Sequence, residues 1–231
     1  MERLVMFKKA YVIVIILLFF ASKPMYGQGF KFGVFFDPTV SWLQSDVKDV
    51  TPGSIRLGFD FGMSVDYFFA ENYAFASGIS IFNTGGTLKY VDRKDRFYLR
   101  DENEVIFLSP NSDVKYNIQY VKIPVALKFK THLIGRMVYS ANLGFDVMFR
   151  TSSNADLTDT NKIFHEKINA NKEIKLLNLG WHFGGTASYH LGGDASIYGG
   201  LAYMDTFSDI TTPSRDMITS KNLFFRIGIL F

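Results

Sequence analysis

The stretch from Ile55 to Tyr67, IRLGFDFGMSVDY, alternates large apolar residues with small or charged ones. Its odd-numbered positions are Ile, Leu, Phe, Phe, Met, Val and Tyr, and its even-numbered positions are Arg, Gly, Asp, Gly, Ser and Asp. A period of two places these two sets on opposite faces of one β-strand. The stretch therefore predicts a strand with one greasy face and one face of glycines and charges.

The same alternation recurs seven more times. The other predicted strands are Phe30–Trp42, which Pro38 breaks near its far end, Tyr73–Thr84, Tyr116–Phe129, Met137–Phe149, Ile174–Tyr189, Ala195–Asp205 and Asn222–Phe231. After Gln28 the sequence shows no long helical period and no further apolar run of the length that a spanning helix needs. We therefore expect an all-β fold, an eight-stranded antiparallel transmembrane barrel, since an even strand count is typical of bacterial outer-membrane barrels.

The connections between these strands alternate in length. Short turns are predicted at Glu71-Asn72, Thr131–Arg136 and Leu191–Asp194, and long polar loops at Leu43–Gly53, Gly86–Asp113, Thr151–Glu173 and Phe207–Lys221. Outer-membrane barrels have short periplasmic turns and long extracellular loops. Both chain termini are then expected at the periplasmic end.

Alternation alone also fits a soluble, lipocalin-like barrel, which buries its large residues around a ligand. Glycines on the face opposite the large residues argue against that fold: Gly58, Gly62, Gly78, Gly144, Gly180, Gly184, Gly200 and Gly228. Glycine weakens a strand, and a water-facing surface has no need of so many, whereas a narrow lumen does. The asymmetry of the loops points the same way, so we expect the apolar face to meet lipid.

The lumen of an eight-stranded barrel has room only for side chains. The glycine-bearing face also carries charges of both signs: Arg56, Lys122, Lys128 and Arg226 with Asp60, Asp66 and Asp146. We expect these groups to pair across the lumen as a hydrogen-bonded plug, without an open pore. The barrel must be closed because an unpaired backbone group costs several kcal/mol in lipid.

The N-terminal segment predicts export. Lys8-Lys9 precede the apolar run Ala10–Ala21, which is too short to span a bilayer, and small residues follow. We therefore divide the chain into a cleaved signal peptide at 1–27 and a barrel domain at 28–231. The signal holds four basic residues and one acidic residue, so the rest carries 21 of each and lacks the basic surface of a nucleic-acid-binding protein. The absence of cysteine excludes disulfides and thiol chemistry.

Candidate chemistry is sparse. Among the four histidines only His182 falls in a predicted strand, facing inward, where Ser64, Ser140 or an aspartate could meet it; we interpret it as part of the plug. Asp205, Asp209 and Asp216 cluster near the fourth long loop, but their spacing fits no calcium loop, and solvated loop charge is the preferred interpretation. We assign no catalytic, cofactor-binding or metal-ligating residue, and we expect no cofactor.

Aromatic residues gather near the predicted strand ends. Tyr67, Phe68, Phe69, Tyr73 and Phe75 surround the first short turn, and Phe129, Tyr139 and Tyr189 follow at comparable depth. Aromatic rings suit the boundary between water and hydrocarbon and form girdles on membrane barrels. These positions therefore predict the periplasmic girdle.

Three blocks carry a family resemblance. The terminal strand ending on Phe231 looks like the C-terminal assembly signal of outer-membrane barrels. Val121–Thr131 (VKIPVALKFKT), with Ile134-Gly135, and Gly199–Asp209 (GGLAYMDTFSD) resemble the PorT-like outer-membrane barrel proteins of the Bacteroidetes. The resemblance implies an eight-stranded barrel. The family takes its name from a component of type IX secretion, and most of its members have no established role.

The expected function is non-enzymatic: an integral outer-membrane protein, porin-like in architecture but plugged, that presents long loops for envelope structure, adhesion or partner docking. Alternatives are an accessory subunit of a type IX-like secretion complex, a lipid-modifying enzyme and a small pore. Expected partners are outer-membrane lipids, the barrel-assembly machinery, which would bind the C-terminal strand, and envelope or secretion-complex proteins.

Overall fold

The computed structural model describes residues 29–91, 96–98, 105–108, 110–158, 164–212 and 217–231, and the predicted signal peptide lies outside these ranges. The strands are β1 (Phe30–Ser45), β2 (Val50–Pro52), β3 (Arg56–Ala70), β4 (Tyr73–Tyr90), β5 (Arg96–Tyr98), β6 (Val105–Phe107), β7 (Ser112–Lys130), β8 (Met137–Thr158), β9 (Phe164–Asn169), β10 (Leu177–Gly192), β11 (Ala195–Thr206) and β12 (Ile218–Leu230). Among the described residues, no helix is long and apolar enough to cross a membrane.

Eight of these strands form a closed circuit. In order they are β1, β3, β4, β7, β8, β10, β11 and β12, each antiparallel to the next. The circuit closes because β1 also pairs with β12, through pairs such as Val34 with Ile229 and Val40 with Leu223. The eight-stranded antiparallel barrel predicted from the alternation is confirmed.

The apolar faces of the barrel strands point outward. Leu57 is 75% exposed and Phe145 is 63% exposed, whereas Asp60 and Asp146 on the same strands are at most 1% exposed. Glycine is required on the inner face where strands approach closely. A Cβ at Gly62 would lie 2.2 Å from the Ile79 carbonyl oxygen. The predicted orientation of the two faces is therefore confirmed.

Pro38 does not break β1, contrary to the sequence prediction. Register is the same on both sides of it, since Phe35 pairs with Gly228 and Thr39 with Phe224. Proline has no N–H for the ladder. The ladder to β12 has no pair between Phe35 and Thr39, and there the Asp37 carboxylate accepts a hydrogen bond from the Ile227 N–H at 3.0 Å.

Two of the predicted long loops begin too early. β4 continues to Tyr90, β7 already begins at Ser112, and β8 continues to Thr158, so much of the predicted loops Gly86–Asp113 and Thr151–Glu173 is strand. In these extensions the alternation is inverted: Leu88, Val114 and Leu157 are buried, while polar neighbours such as Lys89 and Lys115 face outward. The inversion marks the passage from hydrocarbon to water.

The extensions form a sheet that projects from the long-loop end. Its order is β2-β4-β7-β8-β9. Near its base, between Gln119 and Tyr120, the register of β7 against β8 shifts, so that Gln119 faces Ser152 and Tyr120 faces Arg150. Thr151 is the extra residue of this bulge, and beyond it the odd-numbered residues of β8 point inward. The apolar side of the sheet covers the top of the barrel.

Candidate functional site

Three buried pairs of a basic and an acidic side chain face the lumen at mid-depth, and only the first joins strands that are not neighbours, contrary to the expected pairing across the lumen. Lys122 on β7 donates to the fully buried Asp60 on β3. The Lys122 ammonium also lies 4.9 Å from the Phe82 ring centroid and 4.6 Å from that of Phe224. The cation is thus satisfied by one carboxylate and two aromatic faces, which is what a charge inside a membrane protein requires.

The second pair closes the seam between the first and last strands. The Nε of Arg226 on β12 donates to the carboxylate of Asp37 on β1 at 3.0 Å. The other carboxylate oxygen accepts the Ile227 N–H described above. One buried aspartate therefore bonds both the side chain and the backbone of the strand that closes the barrel. Sequence analysis missed Asp37 because it precedes the supposed break at Pro38.

The third pair joins His182 on β10 to Asp146 on β8, with 2.7 Å between Nδ1 and Oδ2. His182 faces inward as predicted. Of the partners that the sequence left open, it contacts an aspartate, which lies on the neighbouring strand, while Ser64 and Ser140 line the cavity below it. Closer to the short-turn end, the Lys128 ammonium lies 2.5 Å from Asp66. Arg56 lies higher in the barrel, where its guanidinium donates to the Thr84 carbonyl at 2.6 Å.

The polar cavity of the interior lies in its lower half. A cavity of about 80 Å³ lies there between the ion pairs and the short-turn end, lined by Ser64, Asp66, Lys128, Asn142 and Thr186 among others. Above the ion pairs, Thr84 donates to the Asn222 side chain at 2.6 Å and lies 3.1 Å from the Ser220 hydroxyl, and an apolar, close-packed core covers this small polar cluster. The buried residues there include Leu43, Val50, Leu88, Val114, Ile118, Tyr120, Leu157, Ile174, Ile210 and Ile218. The expected polar plug is therefore half of the interior, and an unexpected apolar core closes the rest.

Asp209 holds two extracellular segments together. Its Oδ1 accepts hydrogen bonds from the backbone N–H groups of Thr211 and Ile218, and its Oδ2 accepts one from the Lys175 ammonium at 3.0 Å. The segment before β10 is thereby tied to the segment between β11 and β12. Asp209 is a structural clamp rather than the solvated loop charge that the sequence suggested.

The other two residues of the candidate calcium cluster do not join this clamp. Asp205 faces Lys221 at 3.5 Å on the outer wall, and Asp216 lies outside the described residues. In the described part of the chain, no group of three or more acidic or histidine side chains has the geometry of a metal site. The segment Asp92–Glu104, which carries charges of both signs within the predicted loop Gly86–Asp113, also lies mostly outside the described ranges.

The Asp209 clamp predicts a dependence on pH. Burial raises the pKa of this carboxyl, but the hydrogen bonds from Thr211, Lys175 and Ile218 outweigh burial and hold its pKa below the usual 3.8. A depressed folded-state pKa means that the stabilisation is complete above the usual value and is lost as pH falls through the depressed one.

We expect amide hydrogen exchange at Thr211 and Ile218, corrected for intrinsic rates, to be slow at neutral pH and to accelerate below about pH 4. The Asp209→Asn variant should exchange faster at neutral pH and show no such transition. An acid transition of the same size in this variant would assign the effect to another group.

Aromatic rings form two outward-facing clusters. At the short-turn end, Tyr73 contacts Phe129 edge to face, with 5.6 Å between ring centroids. Phe68, predicted for this girdle, is buried instead and lies under the Lys130 ammonium. At the opposite end, Tyr203 contacts Trp42 and Trp181, a cluster that sequence analysis did not single out.

The family assignment follows from the sequence match. A family model described as the outer membrane protein beta-barrel domain matches residues 20–206. The chain belongs to this family. Together with the outward apolar band, membership places the protein in the outer membrane.

The chain is similar to several solved structures of bacterial proteins. Neisserial surface protein A is 12% identical, with 86% of this chain and 95% of that chain covered and a TM-score of 0.44. The outer membrane protein OprG of Pseudomonas aeruginosa is 12% identical, with coverages of 88% and 95% and a TM-score of 0.43. Ail, the attachment invasion locus protein of Yersinia pestis, is 9% identical, with coverages of 87% and 98% and a TM-score of 0.39. No curated protein matches the sequence.

Proposed function

We propose that this protein is a non-enzymatic outer-membrane barrel that docks a partner through the projecting sheet. The outer face of this sheet, here called the platform, consists of polar side chains on three strands: Thr87, Lys89, Lys115, Asn117, Gln119, Ser152, Asn154 and Asp156. Its other face is the apolar core that closes the barrel. The platform is therefore held rigidly, which lowers the entropic cost of binding.

The edges of the platform sheet favour recognition by side chains over strand addition. Within the described residues, β2 pairs only with β4 and β9 only with β8. β2 has three residues and ends on Pro52, while β9 is bent at Lys167, whose φ is 53°. Short edge strands, proline, lysine and irregular backbone all oppose the addition of another strand. A partner would thus contact the amides, hydroxyls and charges of the platform face.

The closed lumen supports a role without transport or catalysis. The apolar core lies between the lower cavity and the extracellular side, and the His182–Asp146 pair is buried at mid-depth. In the described part of the chain, no serine or threonine is hydrogen bonded to His182 as a nucleophile would be. We therefore rank a pore and a lipid-modifying enzyme below docking.

Photo-crosslinking on intact cells tests the proposal. A photoreactive residue at Asn117 on the platform should give an adduct of discrete mass, and Asn154→Arg beside it should abolish the adduct. The matched control is the same residue at Glu71 in a short turn. Adducts from Glu71 alone would contradict platform docking and support the alternative, an accessory subunit of a secretion complex that acts at the periplasmic side.

We also propose that the chain is a PorT-like member of its family from the Bacteroidetes, exported by a signal peptide cleaved near Gly27. Val121–Thr131 and Gly199–Asp209 support this closer relationship, and the Lys8-Lys9 and Ala10–Ala21 pattern supports export. N-terminal sequencing of the protein from outer membranes should begin close to Gln28. A retained Met1 segment would contradict cleavage.

The last strand is proposed to bind the barrel-assembly machinery through a terminal aromatic signal. Phe231 exchanges two backbone hydrogen bonds with Phe32, so it also belongs to the closing seam. We expect Phe231→Ala, which keeps the backbone bonds, to lower the amount of assembled barrel several-fold in cells while leaving refolding in detergent unchanged. Equal losses in both assays would assign Phe231 a purely structural role.

A further inference from the structure

A groove lies on the outer wall at the long-loop end, where β10, β11, β12 and β1 leave the apolar band. Its volume is about 240 Å³. The lining side chains used below are Gln44, Asp46, Trp181, Asp205, Thr219 and Lys221. We call it the rim groove. No part of the proposed platform contributes to it, so it requires a separate explanation.

The height of the rim groove matches the outer-leaflet headgroups. Trp181 stacks on Phe183, with ring centroids 5.8 Å apart, and Phe183 lies half exposed in the apolar band one pleat below. Phe207, which also lines the groove, contacts Phe145 of the same band. Tryptophan at this position is typical of the boundary between hydrocarbon and headgroups. A molecule in the rim groove would have its polar part at headgroup height and any acyl chain against the band.

The polar groups of the rim groove suit a hydroxyl-rich ligand. In the described part of the chain, the side chains of Gln44 and Thr219 make no hydrogen bond. Asp46 uses Oδ1 to accept the Met217 N–H, while its Oδ2 has no partner among the described residues. Asp205 faces Lys221 at 3.5 Å, a loose pair that is partly exposed. An amide, a hydroxyl and carboxylate oxygens therefore surround an indole surface.

The charge of the rim groove narrows the ligand class. Two carboxylates face one ammonium, so the lining is net negative and repels phosphate. A sugar ring fits these conditions, since it has an apolar face for an aromatic surface and hydroxyls that both donate and accept. We propose that the rim groove binds an uncharged saccharide ring in the headgroup of an outer-leaflet glycolipid.

The test uses dodecyl maltoside, a neutral sugar on an alkyl chain, added to the purified full-length protein in sugar-free polyoxyethylene micelles. The background is Trp42→Phe, which leaves Trp181 as the chain's one tryptophan and therefore as the reporter. We expect a saturable change in Trp181 fluorescence. Adding Gln44→Ala and Asp205→Ala should weaken apparent binding at least tenfold, whereas Asp194→Ala at the opposite end should leave it unchanged.

Gel mobility before and after boiling checks that each variant is folded. If the double variant does not fold, Thr219→Val in the same background replaces it, with at least a threefold weakening expected. A fluorescence change that never saturates, or unchanged binding by the folded groove variant, would overturn the proposal. Free maltose that binds as tightly as dodecyl maltoside would overturn the lipid source and assign the groove to soluble saccharides.

Discussion

Replacing Lys122 by alanine is expected to destabilise the barrel by about 3–5 kcal/mol, because the variant leaves the Asp60 carboxylate buried without its cation. The ammonium also lies against Phe82 and Phe224, so the substitution opens space at the floor of the apolar core. Urea unfolding of the purified protein in detergent micelles, followed by tryptophan fluorescence and by gel mobility without boiling, measures the loss.

Two controls separate the buried pair from a general effect of removing lysine. Lys115→Met on the outer face of the same strand should change stability by less than about 0.5 kcal/mol. Lys122→Met combined with Asp60→Leu should recover most of the loss, since two apolar residues leave no uncompensated charge. A double variant as unstable as Lys122→Ala would show that the pair stabilises the barrel through more than mutual neutralisation.

Arginine in place of Leu143 is the second large effect. Leu143 lies on the outer face of β8, 57% exposed, paired with Leu127 on one side and Phe183 on the other. At the middle of a membrane barrel's lipid face, arginine costs about 2–4 kcal/mol. We expect Leu143→Arg to unfold at correspondingly lower urea when the protein is folded in phospholipid bilayers.

The matched control is Asn117→Arg, which introduces the same side chain on β7 above the apolar band. Asn117 is solvent-exposed, so a change within about 0.5 kcal/mol is expected. Equal destabilisation by the two arginines would contradict this account, because it would mean that Leu143 and Asn117 face the same medium.

The sequence was sufficient for the barrel and for the direction of its faces. Eight alternating stretches, with glycines such as Gly62 and Gly144 opposite the large residues, determine both features. The sequence also predicted which side chains face the lumen, because Lys122, Asp60, His182 and Asp146 all lie on the predicted inner face. Which cation meets which carboxylate depends on strand register and tilt, and a single sequence does not specify these.

The extracellular half was less predictable for a physical reason. From Asp113 to Tyr120 the chain still alternates, but its apolar residues point inward because water now surrounds the sheet. Polar residues on the outer face, such as Lys89 of β4 and Asn154 of β8, were therefore interpreted as loop. Tyr120 and Val121, two large neighbours on opposite faces, mark the switch, and the Thr151 bulge reverses the phase of β8. Adjacent large residues of this kind are the available sequence signal.

The inside-out arrangement of the barrel is tested most directly by carbene labelling of the unmodified protein in bilayers. One lipid carries a diazirine in its acyl chain, a second diazirine reagent is soluble in water, and mass spectrometry locates the adducts. Along β3 we expect acyl-chain adducts on Leu57, Phe59, Phe61 and Met63, and none on Gly58, Asp60 or Gly62. Labelling of the first set by the water-soluble reagent, without acyl-chain adducts, would contradict a barrel whose apolar face meets lipid.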